Sequence, residues 1–166
     1  QDILSYLDRV QEAIVENVNE FIATDSKSSA SDMGRSSPAQ SAFLRYQVNV
    51  LVDRKGQKGA PVIFETNPTY NNLFGYIEKR AVMGTLMTDF TMVQAGSLLR
   101  ANGGYLLLDI EAVLKNNFVW EALKRALQNK YLHIEDMAAG MGFGTTSLRP
   151  EPIPLEVKVV LIGSYH

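Results

Sequence analysis

The chain has 166 residues, of which 46% are hydrophobic and 20% are charged, and its net charge is only −2. This composition is typical of a folded domain with one core, and the small net charge provides no overall field that would attract nucleic acid or anionic lipid. The sequence contains no cysteine, which excludes disulfides, thiol catalysis and zinc-thiolate sites. No apolar run approaches the roughly 20 residues that span a bilayer, and the N-terminus has no signal-peptide pattern, so we expect a cytoplasmic protein with no membrane partner and no nucleic-acid partner.

The first 23 residues predict an amphipathic helix. Apolar side chains recur at alternating spacings of four and three, at Ile3, Leu7, Val10, Ile14 and Phe21. Three heptads are short for a free coiled coil, so this stripe must pack on another helix, a partner or the domain itself. Residues 24–41 are rich in serine and predict a flexible linker, and we place a partial α/β core over residues 42–166.

Short strands dominate the pattern after Phe43. The sequence predicts strands over 45–52 and 61–66, a short helix that begins near Asn71 and runs to Ile77, a loop over 79–90 and a helix over 91–101. It then predicts a buried strand that ends in Asp109, a helix capped by Asn117, and a hairpin over 133–148. The last apolar run, 157–162, is typical of a central parallel strand that is buried on both faces. Strands that alternate with helices indicate a three-layer α/β fold with a parallel sheet.

The strand that ends in Asp109 carries the first candidate site. A carboxylate at the carboxyl end of a buried strand lies where α/β proteins bind ligands, and it can hold Mg²⁺ through water, as nucleotide hydrolases do. Apolar strands also often end in Asp for structural reasons alone. A general base normally follows that Asp directly, but this chain has Ile110 there and Glu111 one residue later.

Three other polar side chains are candidates for phosphate chemistry. Arg100 or Arg149 could stabilise transferring phosphoryl charge across a subunit boundary, although a surface or helix-terminal role is the simpler explanation for each arginine. Ser164 follows the last strand and could sense a γ-phosphate, but turn chemistry explains it as well. The sequence has no G-x-x-x-x-G-K-[ST] phosphate loop and no G-x-S-x-G elbow.

The loop over 79–90 combines flexible apolar side chains with few charges. Such a loop suits sequence-tolerant gripping of an extended polypeptide, and its candidate contacts are Met83, Leu86, Met87 and Phe90. The same side chains could instead simply cover the core.

Several phrases of the sequence together carry a family resemblance. They are FLRYQVNVLVD, GAPVIFETNPTYNNLFGYIE, TDFTMVQAGSLLRANGGYLLLDIEAVL, FVWEALKRAL and LRPEPIPLEVKVVLIGS. Over residues 42–164 the chain resembles the AAA+ module of the Lon-like branch of ATP-dependent proteases, whose ATPase core is interrupted by a helical insertion.

The resemblance implies a part for each segment. The fold would be a P-loop NTPase-like core without its phosphate-loop segment, which would lie upstream of Gln1, and residues 1–23 would belong to the inserted coiled coil. Asp109 with Glu111 would be Walker B-like and hold Mg²⁺, and Ser164 would be near sensor 1. The loop over 79–90 would be the pore loop. Residues 133–148 would be the hairpin before sensor 1. The proteolytic Ser-Lys dyad would belong to a separate C-terminal domain.

The resemblance also implies cofactors and partners. We expect the parent protein to bind ATP with Mg²⁺ and to form a homo-oligomeric ring, taken to be a hexamer. Its substrates would be unfolded or damaged proteins. We expect no activity from this segment alone. One alternative is a sigma-54-type activator ATPase, although EKRAVMGTLMTDF follows LFG where such activators carry a GAFTGA-like loop. The other alternative is a non-catalytic AAA+ scaffold in which Asp109 only caps structure.

Overall fold

The computed structural model of the chain describes residues 3–19, 43–82, 84–116, 118–135 and 148–164. The chain divides into two compact units, Gln1–Val48 and Asn49–His166.

The first unit is built on one helix, α1 (Ile3–Glu16), which has no buried residue. The predicted apolar stripe is exposed, since Ile3 is 75% and Leu7 is 52% accessible to solvent. Within this unit the Tyr46 hydroxyl donates a hydrogen bond to the Ala13 carbonyl at 3.1 Å. The helix therefore presents an amphipathic face that the described part of its own unit does not cover.

A parallel three-stranded sheet organises the second unit. Its strands are β1 (Val62–Glu65), β6 (Tyr105–Asp109) and β9 (Lys158–Ile162), in the order β1-β6-β9. The register places Glu65 beside Leu108 and Asp109 beside Ile162. The carboxyl ends of the three strands therefore share one edge, and the predicted α/β fold with a parallel sheet is confirmed.

The remaining elements connect these strands or pack beside them. The helices are α2 (Tyr70–Phe74), a 3₁₀ turn (Phe90–Met92), α3 (Ser97–Arg100), α4 (Ile110–Lys115) and α5 (Val119–Asn129). The short strands form three antiparallel pairs: β2 (Tyr76–Ile77) with β5 (Val93–Gln94), β3 (Arg80–Val82) with β4 (Thr85–Met87), and β7 (Tyr131–Leu132) with β8 (Ile153–Pro154).

The core lies on one face of the parallel sheet. Leu106 and Leu108 of β6 are fully buried there, in one cluster with side chains from α2, α3, α4 and α5. Because the strand order follows the chain order and parallel crossovers are right-handed, both connections cover this same face. The opposite face exposes apolar side chains, with Phe64 58% and Val160 43% accessible.

The last strand differs from its prediction in one respect. It is parallel, as expected, but it lies at the edge of the described sheet and is not buried on both faces. Val160, Leu161 and Ile162 are each more than 40% exposed. The β-branched run is typical of a strand with neighbours on both sides, and here only β6 pairs with it.

Several predicted elements near the sheet were wrong. Residues 45–52 form no strand, since none of the strands within the described ranges pairs with them, and Asn49 instead bonds through its side chain to the Phe90 and Val93 carbonyls. The predicted loop over 79–90 is largely the β3-β4 hairpin, in which Gly84 takes the left-handed conformation that the turn requires (φ 79°). The predicted helix over 91–101 reduces to α3, since β5 precedes it.

Helix capping also differs in detail from the prediction. Thr69, and not an asparagine, caps α2 by accepting from the Asn72 amide, and the chain turns into β2 directly after Gly75. Asn117, the predicted cap of α5, lies outside the described residues, as do residues 136–147 of the predicted hairpin over 133–148. On either side of that segment, β7 and β8 form an antiparallel pair.

Candidate functional site

Asp109 ends β6 and begins α4. Its Oδ1 accepts hydrogen bonds from the amides of Glu111 at 2.8 Å and Ala112 at 3.1 Å, so the carboxylate caps the helix. Asp109 is exposed at the carboxyl edge of the sheet. Within the described ranges nothing donates to its Oδ2, which leaves one carboxylate oxygen for a ligand.

Glu111 and Ser164 meet beside Asp109. The Ser164 hydroxyl donates to Glu111 Oε1 at 2.9 Å, and Lys115 Nζ lies 3.9 Å from Glu111 Oε2. Because α4 begins at Ile110, Glu111 does not continue the β6 strand but lies in the first turn of the helix. The structure therefore brings together three of the predicted site residues, from the ends of β6 and β9.

Gly163 permits this approach. A Cβ atom at this position would lie 2.8 Å from Ile110 Cγ2, which is closer than real side chains come. Any larger residue would push the end of β9 away from α4, and Ser164 away from Glu111. The glycine in LIGS is thus explained by close packing and not by a special φ angle.

A second polar cluster, which sequence reasoning missed, lies at the carboxyl end of β1. Ser97 is fully buried, and its hydroxyl bonds to Glu65 Oε2. Arg100 Nη2 lies 3.1 Å from Ser97 Oγ and 3.5 Å from Glu65 Oε2. Part of the signal was available, since Glu65 lies near the end of the strand predicted over 61–66, and its carboxylate lies on the same edge of the sheet as that of Asp109.

The two candidate arginines differ in their surroundings. Arg100 is held within its own chain by the Glu65 carboxylate, although half of its side chain is exposed. Arg149 is exposed and precedes β8. The structure brings neither arginine to the group formed by Asp109, Glu111 and Ser164.

The residues predicted to grip polypeptide lie on and beside the β3-β4 hairpin. Leu86 is 51% and Met87 is 55% exposed, and Phe90 follows in the 3₁₀ turn. Met83 lies outside the described residues. Leu86 and Met87 of β4 are not part of the buried core.

The donor set at the sheet edge fits a hydrated magnesium ion. Mg²⁺ prefers oxygen ligands, keeps several waters, and is commonly bound by one or two carboxylates together with substrate phosphates. Asp109 Oδ2 and the Glu111–Ser164 pair supply such oxygens. In the described part of the chain no three His, Cys, Asp or Glu side chains cluster closely enough to form a metal cage of their own, so the phosphates would have to complete the coordination.

The family comparison agrees with this geometry. Residues 58–166 match the family model described as "LonB-like, AAA domain". The match covers more than half of the chain. This chain belongs to the LonB-like AAA domain family. No curated protein matches the sequence.

Membership in this family supports the expectations of nucleotide binding and of ring assembly in general terms. A LonB-like AAA domain is an AAA+ module of the Lon family, and AAA domains bind nucleotide, typically with Mg²⁺, and generally assemble into rings. Across the residues that the structure covers, no helix is both long and apolar enough to cross a membrane.

Proposed function

We propose that this LonB-like AAA domain is the nucleotide-dependent motor part of a Lon-like ATP-dependent serine protease. In this proposal a hexameric ring engages unfolded or damaged proteins and moves them to a separate Ser-Lys peptidase domain. The observation that carries the proposal is the placement of Asp109, exposed and with one oxygen available, at the carboxyl edge of the parallel sheet.

Asp109 would hold Mg²⁺ through water in this proposal. The ion supplies positive charge that neutralises the developing charge on the phosphates when MgATP is bound. The capping bonds to the Glu111 and Ala112 amides fix the orientation of the Asp109 carboxylate. The Asp109 side chain therefore needs no reorganisation when nucleotide enters.

The open side of the sheet supports a further strand and helix that carry the phosphate loop. Parallel sheets of α/β proteins have both faces covered, yet Phe64, Val160 and Ile162 are exposed here. A strand beside β9 and a helix over the open face would bury them. We propose that the segment upstream of Gln1 supplies both, with the phosphate loop between them.

Glu111, Ser164 and one arginine would respond to the γ-phosphate. The Ser164 hydroxyl already orients Glu111 at 2.9 Å, so a phosphate that takes over this hydroxyl would release Glu111 toward the attacking water. Arg149 is the better candidate for reaching a neighbouring subunit, because Arg100 forms an ion pair with Glu65 in its own chain.

The β3-β4 hairpin would contact the substrate polypeptide. Leu86 and Met87 are consecutive residues of β4 and both are exposed, and flexible apolar side chains grip without sequence preference. In the full-length protein, replacing both by serine should slow degradation of an unfolded protein more than it slows ATP hydrolysis. A matched double replacement of exposed residues on α5, Glu121 and Gln128, should change neither rate.

The N-terminal unit would belong to the coiled-coil insertion. The exposed stripe of α1 supports this assignment, because an amphipathic helix of this length needs a partner surface to be stable. Residues 24–41 would then link the insertion to the core over residues 42–166.

Degradation assays on the full-length protein test the proposed function. We expect ATP-dependent degradation of an unfolded protein, and we expect Glu111→Gln to lower the ATPase rate. A full-length sequence without a C-terminal Ser-Lys peptidase domain would refute the protease assignment.

A non-catalytic AAA+ scaffold is the second candidate, and one observation favours it. Asp109 already has a structural role as the cap of α4, and Ile110 follows it where motors carry a glutamate. This candidate predicts that the full-length protein does not bind MgATP, and that Asp109 matters for stability alone.

A further inference from the structure

A small cavity lies between α2, α5 and the segment that begins with β7. Its volume is about 190 Å³, below the roughly 300–1,000 Å³ of pockets that hold drug-sized ligands. Its floor is apolar, since Phe74 and Ala126 are buried and the Tyr70 ring stacks on Phe74 with 4.5 Å between the ring centroids. The cavity therefore suits a compact ligand with an apolar body.

Polar side chains form the rim of this cavity. Arg125 and Asn129 of α5, and His133 and Glu135 beyond β7, all line it and are all exposed. Within the described ranges none of these four side chains makes a hydrogen bond or an ion pair. An apolar floor with a few convergent polar groups is the usual composition of a binding site for a small molecule, and here the polar groups are not used by the described fold itself.

The rim carries one positive and one negative charge. Arg125 and Glu135 do not pair with each other in the described structure, yet both act on the same hydroxyl group. Burial raises the pKa of Tyr70, the Glu135 carboxylate raises it further, and Arg125 lowers it. A ligand with a single charge would be attracted by one of the two groups and repelled by the other. A ligand that carries both charges can interact favourably with each.

We propose that this cavity binds a small zwitterion of the α-amino-acid type, with its carboxylate at Arg125, its ammonium group at Glu135 and its apolar side chain against the stacked rings of Tyr70 and Phe74. Charge-assisted hydrogen bonds would hold both ends of the ligand, and the rings would contribute apolar contact. A free amino acid and a short peptide share this chemistry, because each carries both charged groups. The cavity contains none of the sheet-edge residues assigned to magnesium and nucleotide, and the inference does not rest on the proposed function.

Isothermal titration calorimetry of the full-length protein with L-phenylalanine tests the proposal without any variant. We expect saturable binding. N-acetyl-L-phenylalanine lacks the ammonium group and L-phenylalanine amide lacks the carboxylate, so each should bind about tenfold more weakly or worse, as is typical when a hydrogen bond to a charged group is lost. Undiminished binding of both blocked compounds would overturn the proposal.

The dipeptide Ala-Phe distinguishes the two sources of the ligand in the same titration. Tighter binding of the dipeptide than of L-phenylalanine would identify a short peptide, and tighter binding of L-phenylalanine would identify a free amino acid. No saturable binding of either compound at millimolar concentrations would overturn the proposal.

Two charge-removing variants test which side chains hold the ligand. Arg125→Gln and Glu135→Gln change exposed positions and should fold, and each should weaken L-phenylalanine binding by about tenfold. Glu121→Gln is the matched control, because Glu121 lies on the same helix and its side chain is 67% exposed but does not line the cavity. This control should leave binding unchanged. Binding that neither Arg125→Gln nor Glu135→Gln weakens, or that Glu121→Gln weakens equally, would contradict the assignment.

Thermal unfolding provides an independent readout of the same variants. A ligand that binds only the folded state raises the unfolding temperature, so L-phenylalanine should raise it for the unmodified protein and for Glu121→Gln. The rise should be much smaller for Arg125→Gln and Glu135→Gln. An equal rise in all four proteins would show that the amino acid acts elsewhere.

Discussion

The Ser164 hydroxyl donates a hydrogen bond to Glu111 Oε1 at 2.9 Å, although the two residues are 53 positions apart in the sequence. The bond exists because β6 and β9 are parallel neighbours, so the residues that follow them meet at one edge of the sheet. Asp109 lies in the same place. This meeting of three polar groups gives the LonB-like AAA domain its candidate nucleotide site.

Asparagine and alanine at position 109 should separate the two roles of Asp109. Asparagine caps helices about as well as aspartate, whereas alanine loses the cap and typically costs about 0.5–2 kcal/mol. We therefore expect Asp109→Asn to keep nearly the full free energy of unfolding, and Asp109→Ala to lose about 1 kcal/mol. Urea denaturation followed by circular dichroism measures both.

The comparison has a built-in control. Asp89 caps the 3₁₀ turn by accepting from the Thr91 amide at 2.8 Å, far along the chain from the sheet edge. Asp89→Asn should resemble Asp109→Asn in stability. Equal stability of Asp109→Ala and the unmodified chain would show that the capping bonds of α4 contribute nothing.

Gly163→Ala should destabilise the fold through a clash with Ile110. The added Cβ would lie 2.8 Å from Ile110 Cγ2, and overpacking of this kind typically costs about 1–3 kcal/mol. Ile110→Ala removes the clashing methyl, so the double variant should lose less than the sum of the two single variants. Strict additivity in thermal unfolding would show that the two residues do not interact.

Alkaline pH should weaken the fold through Tyr70. Burial raises the pKa of the Tyr70 hydroxyl above its ordinary value of 10.0, the Glu135 carboxylate raises it further, and Arg125 opposes this. Above pH 10 the unfolded chain loses this phenolic proton while the folded chain keeps it, so the free energy of unfolding falls as the pH rises toward the raised pKa. Tyr70→Phe should reduce that fall, and an identical pH profile for the variant would contradict the role of Tyr70.

Glu135→Gln provides the electrostatic control for Tyr70. Removing this negative charge should lower the Tyr70 pKa without changing its burial. Absorbance titration of the phenolate, compared with Tyr70→Phe to isolate this one tyrosine, measures the shift. A higher pKa in the Glu135→Gln variant would be inconsistent with the assigned cause.

The parallel strands were predictable because their signal is local. Short apolar runs that end in Glu65, Asp109 or the LIGS turn identify β1, β6 and β9, and the alternation with helices indicates the α/β class. The position of Asp109 at the sheet edge followed from the same pattern. The position of Ser164 after the last strand made it a candidate as well, although turn chemistry explained that residue equally well.

The other elements could not be predicted, because they depend on which strands and side chains meet in the fold, and the sequence alone does not show those contacts. Valines alternate over 45–52 as in a strand, but in the described part of the chain no strand pairs with this segment. Asn49 instead bonds through its side chain to the Phe90 and Val93 carbonyls. The β3-β4 hairpin was missed because strands of three residues carry too little periodicity to be detected. The Glu65–Ser97–Arg100 cluster joins elements 32 and more residues apart. The sequence places Glu65 near the end of a strand, but only the fold shows that Ser97 and Arg100 contact it.

Isothermal titration calorimetry of ATP binding to the full-length protein, with and without Mg²⁺, is the decisive measurement for the proposed site. We predict that Mg²⁺ strengthens ATP binding by the unmodified protein and that Asp109→Asn, which keeps the cap of α4, removes this dependence on Mg²⁺. Undiminished dependence on Mg²⁺ in Asp109→Asn, or no binding of ATP by the unmodified protein, would contradict the assignment of the sheet edge as a magnesium-nucleotide site.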